Sequence, residues 1–455
     1  MQPTTLAPRQ EAFVAEMPQR MADVARRLSA WANEAVRTLG DLEQHAVRLG
    51  KELGNALLAG GCQLAAPAVA ARQSACACGH LATYERWRPA QVLTVLGPIT
   101  VQRPSDHCAH GHHGSAPLDA QLALCAGSSS AGLDELLALL GATEDSFEAA
   151  AAVLDKLTLG PVCPNLARPA SERLGQVLPA VEQQVVAAAW ADEAVLPPAP
   201  TTPPPARLYV SMDGVLVHTY DGWKAYKLGS VYTTATQVSR HRPDALLIRA
   251  QDASFVGDFT DPQTFGRALW CEAARRGVLA AAEVVVIGDG AHWIWHLAAE
   301  HFPEALQIVD WSQATQYLWQ VANAAYGEGT DLAKQWAKAR LDQLWEGQVE
   351  AVLHAFQAHL HAGKPVEDAL TSYPTNRERM RSADYRARGI QIGRGPIASG
   401  CNHVLGARLK QAGMLWHVDG ARAVATVRTW LKSGRWDEAM ALRPPRHRAY
   451  QRQVA

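Results

Sequence analysis

Two aspartates in the C-terminal half of the chain stand where a sheet most readily builds a site. Asp213 lies in YVSMDGV and Asp289 in VVVIGDGA, and each is followed by glycine. Both segments read as β-strands, because β-branched residues dominate them. In open α/β sheets, ligands bind outside the strand ends. Two carboxylates from different strands can hold Mg²⁺, a hard cation that takes oxygen ligands and keeps several waters. Gly214 and Gly290 leave room for a ligand or a backbone to approach. The same pairs also make ordinary Asp-Gly turns. Their matching placement in two strands gives the metal reading equal weight.

The elements that must position these residues follow from the pattern of the second half. RLYVSMDGVLVHTY, AYKLGSVYTT and ALLIRAQDAS read as three successive strands. DPQTFGRALWCEAARRG is a helix, AEVVVIGDGA a strand, WIWHLAAEHF a helix, ALQIVDW a strand and ATQYLWQVANAAYG a helix. Only helices follow. Meandering strands succeeded by strand–helix alternation predict a mixed α/β sheet with a long helical appendage. Six prolines within residues 197–205 read as a stiff extended linker before this half. Ahead of it, residues 20–60 show helical spacing, residues 76–119 read as short strands and turns with a hairpin at LGPI, and residues 131–159 return to helix. A further helix, ASERLGQVLPAVEQQVVAAAWADEA, leads to the linker.

Composition narrows the function classes. At about 100–200 residues per domain, 455 residues predict two to four domains. A hydrophobic fraction of 48% excludes a disordered chain. No apolar run suits a membrane span, and MQPTTLAPRQEAF lacks an export signal, so a cytoplasmic protein is expected. Eight scattered cysteines point to thiols or a metal site rather than a disulfide framework. The net charge is −1, yet Thr375–Ala455 holds 16 Lys and Arg against 5 Asp and Glu. That asymmetry reads either as a basic surface for nucleic acid or as a solvated helical face. Arg and Lys recur there among apolar and aromatic residues, a pattern able to contact phosphates without reading sequence. Arg394 in IQIGRG, with Arg408 and Lys410 in ARLKQAG, are the candidate DNA-backbone contacts, and RPPRHRAYQRQ reads as a basic arm. Of the 14 tryptophans, Trp293, Trp295, Trp311 and Trp319 cluster around the fourth and fifth strands, where core packing is the default.

SMDGVLVH, VVVIGDGAHWIW, QIVDW…QYLW, TNRERMRSADYRARGIQIGRGPIASGCN and GARLKQAGMLW together resemble transposases of bacterial insertion sequences in the Kra group. The resemblance covers most of the chain. It implies a ribonuclease-H-like catalytic core with an Asp-Asp-Glu triad and a helical domain inserted before the third carboxylate. It places Asp213 and Asp289 at the first two catalytic positions. It implies cleavage and joining of double-stranded DNA by multimers, with two metal ions about 3.5–4 Å apart activating the attacking oxygen and stabilising the leaving one.

The sequence departs from that pattern at several points. The third carboxylate position carries Ala398, which can neither ligate metal nor accept a proton. Asp310 and Glu378 are the conceivable replacements. Asp310 is the better placed, although an N-cap role for the helix near Ser312 is favoured. Gln313 stands where the resemblance implies histidine. The implied zinc ribbon has lost cysteines, yet Cys76, Cys78, Cys108 and one of His110, His112 or His113 still offer four zinc ligands, with His110 taken first. A zinc-free ribbon is the alternative. Cys62 reads as a buried helical thiol. FEAAAAVLDKLTLGPVCPNLARPASERLG falls where a helix-turn-helix is implied, but Pro169 is expected to break its second helix, and a packing helix pair is favoured.

The expected organisation is a helical region at 1–75, a degenerate zinc-ribbon-like hairpin module at 76–119 and a helical, helix-turn-helix-like region at 120–195. A proline linker at 196–206 follows, then the first part of the core at 207–330, the helical insert at 331–386, and the last core helices with a basic tail at 387–455. The expected function is that of a DNA-binding, nucleoid-associated protein of transposase lineage, impaired in Mg²⁺-dependent cleavage. The alternatives are a domesticated DNA- or protein-binding scaffold without recombinase activity, and an active nuclease with a replacement carboxylate.

Overall fold

The computed structural model describes residues 8–34, 38–65, 73–76, 78–111, 113–122, 124, 129–157, 162–200, 203–238, 246–393, 395–443 and 450–451. It divides into two compact units, Met1–Ser171 with Arg443–Ala455, and Glu172–Leu442.

In the first unit, α1 (Pro8–Asn33) and α2 (Leu39–Ala65) pair with each other. A sheet follows, with β1 (Gln73–Ala75), β2 (Leu81–Thr94), β3 (Gly97–His107) and β4 (His113–Ser115) in antiparallel order. The expected short strands are one long hairpin. Its turn is Val95–Leu96, closed by the Thr94–Gly97 pair, one residue before the LGPI position. Gly97 takes φ +118°, a backbone that glycine adopts at no steric cost. Val92, Ile99 and Val101 pack with Leu118 of α3 (Pro117–Gln121), and Cys62 is half-buried against them. Next come α4 (Ala131–Thr143), α5 (Phe147–Leu157) and α6 (Pro164–Ala189).

The α6 helix is continuous through Pro169 and Pro179, so the expected break does not occur. An interior proline costs about 3 kcal/mol. Burial of Ala167, Ala170, Leu174 and Leu178 along one face offsets it. The unit boundary falls inside this helix.

The second unit is a mixed α/β fold. It is built on β5 (Arg207–Thr219), β6 (Gly222–Val238), β7 (Leu246–Asp258), β8 (Glu283–Gly288) and β9 (Leu306–Val309). The spatial order is β7-β6-β5-β8-β9. The first three strands meander antiparallel, and β8 and β9 add parallel to β5. Alternation sorts the side chains onto two faces. Leu208, Val210, Met212, Val286 and Val309 face α7 (Pro262–Arg275), α8 (His292–His301) and α9 (Trp311–Tyr326). The same core takes in the helices after α9, namely α10 (Asp331–Trp345), α11 (Val349–Gln357) and α12 (Lys364–Asn376). Tyr209, Tyr232, Val285, Ile287 and Ile308 face the other way, under Tyr385 of α13 (Ser382–Ala387) and Ile390.

The chain then forms α14 (Gly395–Gly400), a π-helix at Cys401–Gly406, α15 (Ala407–Leu409), α16 (Val418–Lys432) and α17 (Trp436–Ala441). Trp293 and Trp311 are partly buried in the core and Trp295 is buried, as expected, whereas Trp319 is exposed. The last strand, β10 (Tyr450–Gln451), pairs with β4 of the first unit, so this part of the tail is not a free arm. Among the described residues no helix is long and apolar enough to cross a membrane.

Candidate functional site

The parallel ladder between β5 and β8 reaches Ser211 opposite Ile287. Asp213 lies two residues further along β5, on the Ser211 face, and Asp289 is the first residue past the end of β8. They therefore occupy one level of the sheet, at the carboxyl end of β8. The β9 strand extends this row. Gly288 pairs with Val309, and the Asp310 N–H donates to the Gly288 carbonyl at 2.7 Å. Carried forward, the two registers set Asp213, Asp289 and Asp310 in one row, the latter two each just past a strand end.

Local hydrogen bonds aim the carboxylates. Asp213 Oδ1 accepts from the Gly214 N–H at 2.7 Å. Asp289 Oδ1 accepts from the Ala291 N–H at 2.9 Å, which turns the chain into α8. Gly290 takes φ +100°, a conformation that favours glycine, and a Cβ there would lie 3.4 Å from Asn376 Nδ2 of α12. Asp310 holds the N-cap position of α9, but its side chain makes no cap hydrogen bond. It is fully buried, and its Oδ2 accepts from the Ser312 hydroxyl at 2.8 Å.

Ala398 sits on α14, which lies over β5, β6 and β7 on the aspartate face. Gly400 makes that approach possible, since a Cβ there would meet Phe255 at 2.6 Å. The Ala398 methyl is exposed. Three residues on, the Cys401 thiol donates to Asp213 Oδ2 at 3.5 Å. Cys401 opens the π-helix, a geometry frequent at functional sites. Sequence reasoning missed this cysteine, because nothing in ASGCN signals a contact 188 residues away. The turn is held by buried Arg428, whose guanidinium donates to the His403 and Val404 carbonyls. Burial lowers the Arg428 pKa to about 10.

Glu378 does not serve this face. Its exposed carboxylate pairs with Arg381 and Arg377, and the Arg381 hydrogen bond lowers its pKa. Gln313 lines a polar cleft of about 430 Å³ beside the Asp289 loop, together with Gly290, His292, Tyr317, Asp368 and Asn376.

The basic C-terminal region is largely committed to structure. Arg408 is 1% exposed, with its guanidinium 5.0 Å from the Trp416 ring and a contact to Met414 Sδ. That burial corrects its expected role as a phosphate clamp. Arg386 and Arg388 pair with Glu346 and Glu283, and Arg422 pairs with Asp258 and Asp419. Lys410 is exposed. Arg394 lies outside the described residues.

In the first unit, the Sγ atoms of Cys76, Cys78 and Cys108 lie within 4.8 Å of one another, a group able to hold a metal ion. Cys78 Sγ is 3.3 Å from Cys76 Sγ and 3.5 Å from Cys108 Sγ. The Gly111 N–H reaches Cys108 Sγ at 3.5 Å and lowers that thiol's pKa. Neither His110 nor His80 is part of this group, and their rings stack on each other at 4.2 Å. His80, absent from the sequence-derived ligand set, brings Nδ1 to 3.6 Å from Cys78 Sγ. The spacing of Cys78-x-His80 was the available signal. His112 and the His113 side chain lie outside the described residues. No protein-family model matches this chain, and no curated protein matches it.

Proposed function

We propose that the second unit is a ribonuclease-H-like core of DNA strand-transfer lineage, impaired in cleavage because its third carboxylate is Ala398. The carrying observation is the parallel register of β5 and β8, which ends at Ser211 and Ile287 and, carried two residues on, sets Asp213 level with Asp289. The sheet order supports the same reading. Three meandering strands are flanked on one side by two parallel ones, with helices inserted between α9 and the helix bearing Ala398.

The donor set fits divalent metal incompletely. Asp213 within β5 and Asp289 just past β8 offer carboxylate oxygens, the ligand type that suits Mg²⁺. Ala398 adds none, so a pair of ions lacks part of its cage. When bound, such ions activate an attacking oxygen and stabilise a leaving one. The chain's own residues supply the rest. The Gly214 and Ala291 amides fix the carboxylates, Asn376 abuts the Asp289 loop, and exposed Lys410 offers charge to a DNA backbone. The protein then acts on DNA chiefly by binding it as a multimer in the bacterial cytoplasm.

Ala398→Glu tests the reading. With Mg²⁺, the variant should nick supercoiled plasmid at least tenfold faster than the unaltered chain, and adding Asp213→Ala should abolish the gain. No nicking by a folded Ala398→Glu protein would sink the lineage of the active site and favour a scaffold without recombinase activity. Nicking by the unaltered chain that depends on Asp213 and Asp310 would assign the missing role to Asp310.

The first unit's thiol group is proposed to hold Zn²⁺ with His80 as fourth ligand. Tetrahedral Zn–S bonds of about 2.3 Å place sulfurs roughly 3.8 Å apart, near the spacing found.

A further inference from the structure

Away from the aspartate row, the second unit contains a cavity of about 300 Å³. Its walls come from the C-terminal half of α6, residues 195–198, β7, α7 and the α16–α17 region. They are mainly apolar, with Val185, Leu196 and Phe255 among them. The volume lies at the lower end of the ligand-pocket range.

The charged lining is unbalanced. Glu182, Glu272 and Glu438 face two guanidiniums, Arg275 and Arg435. Arg275 is engaged by Glu272 through Nε at 2.9 Å. Arg435 is engaged by Glu438 at 2.8 and 2.7 Å, and its guanidinium lies 3.6 Å from the Trp430 ring centroid. Glu182 has no ion pair among the described residues, and its carboxylate accepts from the Trp430 indole N–H. It lies deep in the unit yet keeps accessible surface, as a cavity-lining group does. A buried carboxylate without a partner cation is costly, and either a proton or a cation relieves it.

We propose that this cavity binds a small apolar compound carrying one cationic head, an alkylammonium or arylalkylammonium ion, with its head on Glu182. The apolar walls take the tail, and the single excess carboxylate takes the charge. With no ligand, a proton takes the place of the cation on Glu182 as pH falls. Burial raises its pKa to about 7, with Glu272 and Asp258 adding to the rise and Trp430 and Arg435 opposing it. Binding therefore weakens as pH falls below 7, where the proton competes with the cation.

Calorimetric titration of the full chain with n-hexylammonium chloride tests this, with 1-hexanol as the neutral comparison. At pH 7.5 the ammonium ion should bind saturably at one site, at least tenfold tighter than the alcohol. Affinity should fall at least tenfold at pH 5.5 and in Glu182→Gln. Ala268→Leu, which narrows the cavity without altering its charge, should abolish binding. The proposal is overturned by absent saturable binding, by equal affinity for the alcohol, or by unchanged affinity in folded Glu182→Gln. Should Glu182→Gln fail to fold, the alcohol comparison and Ala268→Leu decide the matter.

Discussion

Cys401 donates its thiol hydrogen to Asp213 Oδ2 at 3.5 Å, across 188 residues of chain. The contact ties the π-helix after α14 to the middle of β5 and sets a thiol against one of the two aspartates of the proposed metal site. A thiol is a poor ligand for magnesium, which prefers oxygen.

Magnesium should therefore stabilise this chain weakly. A ligand that binds only the folded state stabilises it by RT ln(1 + [L]/Kd). With 10 mM MgCl₂, Ala398→Glu should show a larger rise in melting temperature than the unaltered protein, and Asp213→Ala should show none. Equal shifts in all three, measured by calorimetry, would place any magnesium effect elsewhere.

Glu182 supplies a pH signature. Its pKa is raised to about 7 by burial, against about 4.3 for an ordinary glutamate. Between those values the folded chain keeps a proton that the unfolded chain has released. The stability from this proton is complete below the unfolded pKa and is lost as pH rises through 7. Glu182→Gln removes that loss. Urea denaturation from pH 5 to 8 should show the variant gaining on the unaltered protein, by on the order of 3 kcal/mol. A pH-independent difference contradicts the assignment.

Arg428 is a structural cation. Replacing it with methionine leaves the His403 and Val404 carbonyls without their buried donor. A loss of about 2–4 kcal/mol is expected, since hydrogen bonds to charged groups contribute about 1.5–3 kcal/mol and orphaned acceptors add desolvation cost. Equilibrium denaturation measures it, and a loss near zero would show that the π-helix holds itself.

Close helix packing makes a further test. A Cβ on Gly175 of α6 would lie 2.1 Å from the Ala423 carbonyl oxygen of α16. The obstacle is backbone, so no side chain can swing away. Gly175→Ala should destabilise by about 1–3 kcal/mol, the usual cost of overpacking. A variant as stable as the unaltered protein in urea would refute the crossing.

Metal analysis separates the two histidines. Mass spectrometry should find one zinc per chain, lost in Cys108→Ser and retained in His110→Ala. His80→Ala should weaken zinc retention against a chelator at least tenfold. Loss of zinc in His110→Ala alone would reverse the assignment.

Much of the sheet was legible because alternation and β-branching are local signals. The Asp289-Gly290 pair was legible as a strand end because the residues that stop a strand mark it, whereas Asp213-Gly214 lies within β5, which runs on to Thr219. Arg408 was misread for a physical reason. A charge in sequence has no stated direction, and the turn after the π-helix points this one under Trp416. Cys401 and His80 escaped because their contacts depend on how distant or tightly turned segments return. Pro169 misled because local propensity yields to burial along a whole helix face.

The unequal lengths of β5 and β8 give the two aspartates different mechanical character. Asp213 is embedded in a strand that continues to Thr219, bonded along β6 on both sides of that residue. Asp289 stands just past the last residue of β8, before a left-handed glycine. One carboxylate is thus an anvil and the other a lever. In the proposed metal site, adjustment to a guest would fall first to the Asp289 turn, since ladder pairing of β8 ends at Gly288.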